Sequence, residues 1–221
     1  MLPAAAAAVL LTGCTAPVAA SPSSPPASQP AQAGTVSCEY PAEQPAAREV
    51  TAPTATDVPA TGTAEAVMTL NGTPVTITLD REAAPCTVNS FVSLAKQGFF
   101  DDTACHRVVD SGIFVLQCGD PSGSGSGGPG YTIPDEFEGI SGYPAGTLAM
   151  ANTGQPNSGG SQFFLVFDET PLPPQYTVFG TVDQTGIDLA KEIAAGGNDG
   201  SFGAAGGGMP NLPAQIDSIT V

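Results

Sequence analysis

Residues 105–120 read Cys-His-Arg-Val-Val-Asp-Ser-Gly-Ile-Phe-Val-Leu-Gln-Cys-Gly-Asp, and this stretch predicts the centre of the fold. Its β-branched and aromatic residues favour two strands, 105–109 and 114–118. The Asp-Ser-Gly sequence at 110–112 is typical of a turn, because these residue types tolerate turn conformations. The stretch therefore predicts a β-hairpin.

Two long polar side chains in this hairpin, Arg107 and Gln117, stand where strand propensity would favour other residues. We expect both to point into one groove, beside the apolar Phe114 and Val115. A fixed cation and an amide next to an apolar pocket would suit a peptide carbonyl that carries a small apolar ring. The hairpin is therefore the first candidate for a functional site.

Three further stretches accompany the hairpin in a fixed order along the chain. A Gly-rich run covers residues 119–131, an apolar segment covers 148–152, and a second segment with two adjacent phenylalanines covers 160–164. Together with the hairpin they form an ordered set of motifs.

This ordered set resembles the cyclophilin family of peptidyl-prolyl cis–trans isomerases over roughly residues 63–221. The matching motifs are His106-Arg107, Gln117-x-Gly119-Asp120-Pro121, the Gly-rich run, Met150-Ala151-Asn152, Ser161-Gln162-Phe163-Phe164 and Val178-Phe179-Gly180. The resemblance implies an enzyme that accelerates rotation about X–Pro bonds without covalent chemistry.

The resemblance also implies the roles of individual residues. Arg107 would stabilise the twisted prolyl amide, and Gln117 and Phe114 would complete the catalytic set. Substrate would be bound by His106, Val115, Ala151, Asn152, Gln162, Phe164, Leu172 and Tyr176. The expected partners are proline-containing peptides and unfolded exported proteins, and we expect a monomer.

Some positions depart from the commonest family pattern. Pro171 precedes Leu172 in a chain that has no Trp, Val115 replaces a common Met, and Tyr176 stands where many members have a second His. These departures motivate an alternative function, a proline-binding chaperone or scaffold with little catalytic turnover.

The pattern of short segments predicts a mainly β fold. Residues 66–70 and 73–79 flank Asn71-Gly72, a strong hairpin signal. Thr87 would cap a helix over 88–97, and a second helix would end at Gly196. Many short strands, two helices and Gly/Pro turns indicate a closed antiparallel barrel capped by helices. The resemblance implies eight strands, and a disordered N-terminal tail would precede them.

The N-terminus predicts export. Residues 1–13 are an Ala-rich apolar run that ends in Leu-Thr-Gly before Cys14, which fits a lipoprotein signal peptide with a lipid on Cys14. An unprocessed disordered tail is the alternative. Residues 14–62 would be a Pro/Ala/Ser/Thr-rich linker in which Cys38 docks, and residues 63–221 the isomerase domain. The expected location is the extracytoplasmic face of the cell membrane.

Four cysteines remain if Cys14 carries lipid, and an even number in an exported protein favours disulfides. Three connectivities are possible, and free buried thiols are the alternative. In the predicted hairpin Cys105 and Cys118 fall near opposite positions, within reach of a bond. Cys38 would then pair with Cys86.

Composition excludes several functional classes. The formal net charge of −16 argues against nucleic-acid partners, whose phosphates attract Lys and Arg. The chain has one His, so neither a zinc site nor a Ser-His-Asp triad is predicted. Residues 125–130 satisfy Gly-x-Gly-x-x-Gly, but no helix is predicted after them, so we expect no nucleotide cofactor.

Overall fold

The computed structural model describes residue 1 and residues 34–221. Two α-helices lie in this part of the chain, α1 (Pro85–Lys96) and α2 (Gln184–Ala195), with one 3₁₀ turn, Gly203–Ala205. The strands are β1 (Thr35–Val36), β2 (Val58–Pro59), β3 (Thr63–Leu70), β4 (Thr73–Asp80), β5 (Thr103–Ala104), β6 (Arg107–Ser111), β7 (Ile113–Cys118), β8 (Thr147–Met150), β9 (Phe163–Val166), β10 (Val178–Val182) and β11 (Gln215–Thr220).

Nine of these strands form one antiparallel sheet in the order β5-β11-β3-β4-β10-β8-β9-β7-β6. The predicted fold class is confirmed: the protein is mainly β, with a curled antiparallel sheet and two helices. The sheet differs in detail from a closed barrel of eight strands. The edge strand β6 bonds to a loop instead of β5, since Val108 N–H donates to the Gly208 carbonyl at 2.8 Å.

The predicted hairpins are both present. β3 and β4 pair in register across Asn71 and Gly72, whose φ angles of 50° and 75° are those that this tight turn requires. In the second hairpin β6 and β7 pair from Arg107 opposite Gln117 to Ser111 opposite Ile113. Its turn is shorter than predicted, because Gly112 with φ 77° reverses the chain almost alone.

Helix α1 begins earlier than predicted, and Thr87 is not its N-cap. The helix starts at Pro85, whose fixed φ suits a first helical position, after the N-cap residue Ala84. The Glu136 carboxylate, distant in sequence, accepts the N–H groups of Cys86 at 2.9 Å and Thr87 at 2.8 Å. These two bonds satisfy donors that a helix N-terminus leaves unpaired. The loop that carries Glu136 therefore caps α1 in place of a residue next to the helix.

The core lies between the concave side of the sheet and the helices. Its centre is built from phenylalanines that are at most 1% exposed, and neighbouring rings such as Phe91 and Phe100 lie 5.1 Å apart. The five rings are Phe91, Phe99, Phe100, Phe163 and Phe179. The opposite side of the sheet carries a second, smaller apolar cluster that includes Val115 and Phe164. The curled sheet thus carries one apolar cluster on each of its two faces.

Residues 34–62, called here the N-terminal extension, pack on the rest of the protein. Their composition predicts a linker with a docked cysteine, but the observed contacts extend much further. Cys38 is bonded to Cys86 on α1, and the Tyr40 hydroxyl donates to the Cys86 carbonyl at 2.9 Å. Asn89 donates to that hydroxyl and to the Thr54 carbonyl, both at 2.9 Å. The extension therefore lies along helix α1.

Arg48 provides a second attachment. Its guanidinium donates to the carbonyls of Gly98 at 2.7 Å, Phe99 at 3.0 Å and Asp101 at 2.7 Å. These carbonyls follow the C-terminal end of α1, where unpaired acceptors favour a cation. Composition alone cannot reveal this attachment, because it depends on one side chain meeting three acceptors about fifty residues away.

Both predicted disulfides are present, Cys38–Cys86 and Cys105–Cys118. The second joins the segment before β6 to the end of β7, close to Arg107 and Gln117. The predicted signal peptide beyond Met1, the lipid-bearing Cys14 and the linker up to residue 33 lie outside the described residues. Within residues 34–221, neither helix has the length and apolar character needed to cross a membrane.

Candidate active site

A row of side chains crosses five neighbouring strands on the outer face of the sheet. Directly paired residues share a face, so the register places these side chains next to one another. The row consists of Arg107 on β6, Gln117 on β7, Phe164 on β9, Ala149 on β8 and Val178 on β10. A cation and an amide thus stand at one end of a row that is otherwise apolar, as the hairpin predicts.

Arg107 is fixed from three directions. Its Nε donates to the Gly206 carbonyl at 3.0 Å, Nη2 donates to the Ala205 carbonyl, and Nη1 donates to Gln117 Oε1 at 3.1 Å. Burial lowers the pKa of Arg107 below its ordinary value, opposed by the nearby Tyr176 phenol. The guanidinium stays charged, as arginine does throughout proteins. The result is a positioned, partly desolvated cation.

Phe202 also contacts this cation and was not predicted. The Arg107 Cζ lies 5.5 Å from the centre of the Phe202 ring, within the range of a cation–π interaction. Phe202 immediately precedes the 3₁₀ turn Gly203–Ala205, which supplies one of the carbonyls that bind Arg107. The one sequence signal for this contact was an aromatic residue within the Gly-rich segment 200–208.

A chain of amides continues from the guanidinium. Gln117 Nε2 donates to Gln162 Oε1 at 2.9 Å, and Gln162 Nε2 donates to the Gly127 carbonyl at 2.9 Å. Because an ionised arginine is a donor and never an acceptor, it determines which end of the Gln117 amide is the oxygen. The orientation of the Gln162 amide follows in turn. One directional network therefore joins Arg107, Gln117, Gln162 and Gly127 of the Gly-rich run.

Phe114 does not share this face. Successive side chains of a strand point to opposite sides, and Val115 and Gln117 face outwards. Phe114 lies with Leu116 against the inner core, and its ring is 6.0 Å from that of Phe167. The prediction of Phe114 as a member of the catalytic set is therefore not supported, since β7 directs it away from Arg107.

The outer apolar cluster contains the other predicted apolar site residues and is called here the apolar pocket. Val115 and Phe164 are buried in it, while Leu172 and Tyr176 are half-buried at its edge. The rings of Phe164 and Tyr176 meet edge to face at 5.3 Å. The remaining buried members are Val109, Tyr143, Ala149 and Val166. The pocket adjoins Gln117 in the row, so an apolar surface lies directly beside the polar network.

Tyr143 supports the edge of the apolar pocket and was not predicted. Its hydroxyl accepts the Tyr176 N–H at 3.0 Å and lies 3.2 Å from the Tyr176 carbonyl and 3.3 Å from that of Pro173. These contacts fix the segment that carries Leu172. The sequence did not indicate this role, because Tyr143 lies in a turn region outside the matched motifs.

Ala151 and Asn152 lie at the opposite border of the polar network. The Ala151 N–H donates to the Gln162 carbonyl at 2.9 Å. Asn152 Nδ2 donates to the Gln175 carbonyl at 2.8 Å, and Oδ1 accepts the Gly154 N–H at 3.0 Å. The Asn152 side chain therefore ties two loops together. The structure brings both residues next to Gln117 and Gln162, as predicted.

His106 lies behind the site and is 1% exposed. Neither ring nitrogen has a hydrogen-bond partner within residues 34–221, and the Gln162 amide lies nearby but outside hydrogen-bond geometry. Burial lowers the pKa of His106, against the raising effect of the Asp120 carboxylate, so the ring is neutral at pH 7. Its ring lies 6.2 Å from that of Phe202. Burial thus opposes the predicted direct contact of His106 with substrate.

Asp120 organises the Gly-rich run. Its carboxylate accepts the N–H groups of Ser122 at 2.8 Å, Gly125 at 2.7 Å and Gly127 at 3.0 Å. Burial opposes the charge on Asp120, but the hydrogen bonds from Ser122, Gly127 and Gly125 together outweigh it and lower its pKa. A Cβ at Gly127 would overlap Asp120 Oδ1, so this position requires glycine. The run is therefore an ordered border of the groove.

Comparison with known proteins agrees with this geometry. The family model described as "Cyclophilin type peptidyl-prolyl cis-trans isomerase/CLD" matches residues 66–221. The probable peptidyl-prolyl cis-trans isomerase B of Mycobacterium leprae is 43% identical over 211 residues, which cover 88% of this chain and 70% of the relative. The Bacillus subtilis peptidyl-prolyl cis-trans isomerase B is 45% identical over 128 residues, which cover 57% of this chain and 87% of the relative.

Among solved structures, a Cryptosporidium parvum cyclophilin-type isomerase, determined in the presence of the dipeptide Ala-Pro, aligns with a TM-score of 0.61. It is 26% identical, and the alignment covers 72% of this chain and 98% of that chain. Sequence, fold and the arrangement of the outer face thus agree: the chain belongs to the cyclophilin family and is, by homology, a peptidyl-prolyl cis–trans isomerase.

Proposed function

We propose that this protein accelerates X–Pro rotation in exported proteins, with Arg107 stabilising the twisted prolyl amide. The observation that carries the proposal is the fixed guanidinium beside the apolar pocket. Gly206, Ala205 and Gln117 hold it in place before any substrate arrives. A donor that is already positioned costs no reorganisation at the moment of reaction.

The chemistry requires a donor at this position and little else. A planar peptide bond resists rotation with a barrier of about 18–20 kcal/mol, because the nitrogen lone pair is delocalised into the carbonyl. In the twisted state the lone pair returns to the nitrogen, which then accepts a hydrogen bond. A guanidinium that donates there binds the twisted state better than either planar isomer, and this difference lowers the barrier.

The neighbouring residues supply binding. The proline ring enters the apolar pocket against Val115, Phe164 and Leu172, with Tyr176 at its edge. Gln117 and Gln162 hold the substrate backbone, and Ala151 and Asn152 offer main-chain groups to the residue before proline. A relative whose structure was determined in the presence of Ala-Pro supports a prolyl ligand for this protein.

His106 and Phe114 act from behind the site. The neutral His106 ring fills the space beneath Phe202 and the Gly-rich run, where Gly125 lies close to it. Phe114 packs against Phe167 and stiffens β7 from its inner side. Both residues thus position catalytic groups without contacting the substrate.

We further propose that the protein works on the extracytoplasmic face of the cell membrane, held by a lipid on Cys14 and followed by a spacer. The two disulfides support an oxidising compartment, since such bonds persist there and are rare in the cytosol. Substrates would then be newly exported chains, and residues 63–221 would be the isomerase domain.

An isomerisation assay tests the proposed function. The protein is expected to accelerate cis–trans exchange of the peptide Ala-Ala-Pro-Phe, followed by NMR exchange spectroscopy without an auxiliary protease. Saturable binding of the same peptide with no rate enhancement would overturn the proposal. It would favour the alternative, a proline-binding chaperone or scaffold with little turnover.

Phe202 offers a separate test of how the guanidinium is positioned. Phe202→Leu is expected to lower kcat/KM about threefold to tenfold, since the aromatic face that attracts the Arg107 cation is lost. Phe202→Tyr keeps that face and is expected to restore activity. Equal loss in both variants, with unchanged thermal unfolding, would show that the aromatic face has no part in positioning.

A further inference from the structure

A cavity of about 300 Å³ adjoins the proposed active site. One wall is formed by Gln117, Ala151, Asn152 and Gln162, which also belong to the site. Another wall is formed by a strip of the N-terminal extension, residues 43–45. This strip lies outside residues 66–221, which the family model covers. The extension therefore forms part of the groove in which substrate would lie.

The wall is fixed in place by backbone hydrogen bonds. The Glu43 N–H donates to the Gly130 carbonyl at 3.0 Å, and the Ala47 N–H donates to the Gly128 carbonyl at 2.8 Å. In the opposite direction, the Thr132 N–H donates to the Pro41 carbonyl at 3.0 Å. The extension thus adds a strand-like edge to the Gly-rich run. A wall held on both sides of residues 43–45 is formed before substrate binds.

The charge of the wall distinguishes this cavity from the apolar pocket. Among the lining residues within 34–221, Glu43 carries the one formal charge, and its side chain is exposed. The other lining groups are mostly glycine, serine and side-chain amides. The whole chain has a net charge of −16, which adds to the attraction of a cation. The cavity therefore suits a long basic side chain whose ammonium or guanidinium reaches Glu43.

The position of the cavity determines which part of a substrate enters it. The cavity is distinct from the apolar pocket, because Gln117 and Gln162 line the cavity and do not belong to the apolar cluster, and the lining continues to Ala151 and Asn152. Asn152 is the proposed contact of the residue before proline. A substrate that runs from the proline past Asn152 therefore brings the side chains two or three residues before the proline to residues 43–45.

We infer that the N-terminal extension is a specificity wall, which selects substrates carrying Lys or Arg two or three residues before the proline through Glu43. This inference rests on the proposed function and deepens it. It assigns the extension a part in substrate choice, in addition to its contacts with helix α1.

Exchange rates of a matched peptide series test the inference. The series carries Lys, Gln or Glu at the second or third residue before the proline of an otherwise constant sequence. For the full-length protein, kcat/KM is expected to be about twofold to fivefold higher with Lys than with Gln at one of these positions, the size expected for an exposed ion pair. The peptide with Glu at that position is expected to have a lower kcat/KM than the peptide with Gln.

Three variants separate Glu43 from the general acidity of the protein. Glu43→Gln is expected to bring the Lys-to-Gln ratio to about one, and Glu43→Lys to favour the Glu peptide. Glu39→Gln removes the same charge from an exposed residue of the extension that does not line the cavity, and it should keep the wild-type ratio.

The outcomes separate the inference from the function on which it rests. A wild-type ratio near one at both positions, or equal changes in Glu43→Gln and Glu39→Gln, would overturn the specificity wall while leaving isomerisation of the Gln peptides intact. Absence of acceleration for every peptide would instead overturn the proposed function.

Discussion

Arg107→Ala is expected to lower kcat/KM for X–Pro isomerisation about 100-fold, the loss found when one preorganised donor to a transition state is removed. The side chain lies at the edge of the sheet and makes three polar contacts, with Gly206, Ala205 and Gln117. Its removal therefore leaves the inner core intact. The free energy of unfolding should change far less than the catalytic barrier.

The measurement is NMR exchange on Ala-Ala-Pro-Phe, with peptide affinity determined separately. Arg107→Lys keeps the positive charge but loses the planar fork that contacts two carbonyls and an amide at once, so it is expected to recover little activity. Arg81→Ala is the matched control, because Arg81 contacts the Thr63 carbonyl at the start of β3. Full activity in Arg107→Ala would exclude the guanidinium as the donor.

The Cys38→Ala/Cys86→Ala double variant is expected to lose about 4 kcal/mol of unfolding free energy. The bond closes a loop with a sequence separation of 48, and the entropy that a cross-link removes from the unfolded chain grows with loop length. Urea unfolding under oxidising conditions measures the loss.

The second disulfide provides the comparison. Cys105 and Cys118 are separated by 13 residues, so Cys105→Ala/Cys118→Ala is expected to lose about 3 kcal/mol, less than the first variant. A Cys38→Ala/Cys86→Ala protein as stable as the wild type would show that the contacts of Tyr40 and Arg48 hold the extension without the cross-link.

The order of motifs in the sequence predicts most of the site, because strand pairing converts that order into neighbours. Arg107, Gln117 and Phe164 fall into one row once β6, β7 and β9 pair. The same rule explains why Phe114 faces the inner core instead of Arg107. Motif matching ignores the alternation of side chains along a strand, and Phe114 is an odd number of residues from Gln117.

The remaining features depend on contacts that no local pattern encodes. Phe202 reaches Arg107 only because the loop that contains the 3₁₀ turn folds back across β6, where Val108 and Gly208 exchange backbone hydrogen bonds. The composition of the N-terminal extension predicts a linker, since it is rich in Pro, Ala and Thr. Its packing depends on a disulfide and a few long-range hydrogen bonds, and average composition cannot predict such specific contacts.

The attachment of Arg48 has a consequence for the resistance of the protein to proteases. The chain contains five Lys and Arg residues, so it offers few bonds to proteases that require a basic residue. At Arg48 the side chain that such an enzyme must capture is already bound to the Gly98, Phe99 and Asp101 carbonyls. Cleavage there must wait until the extension detaches from α1, so the contact that orders this segment also shields it from digestion.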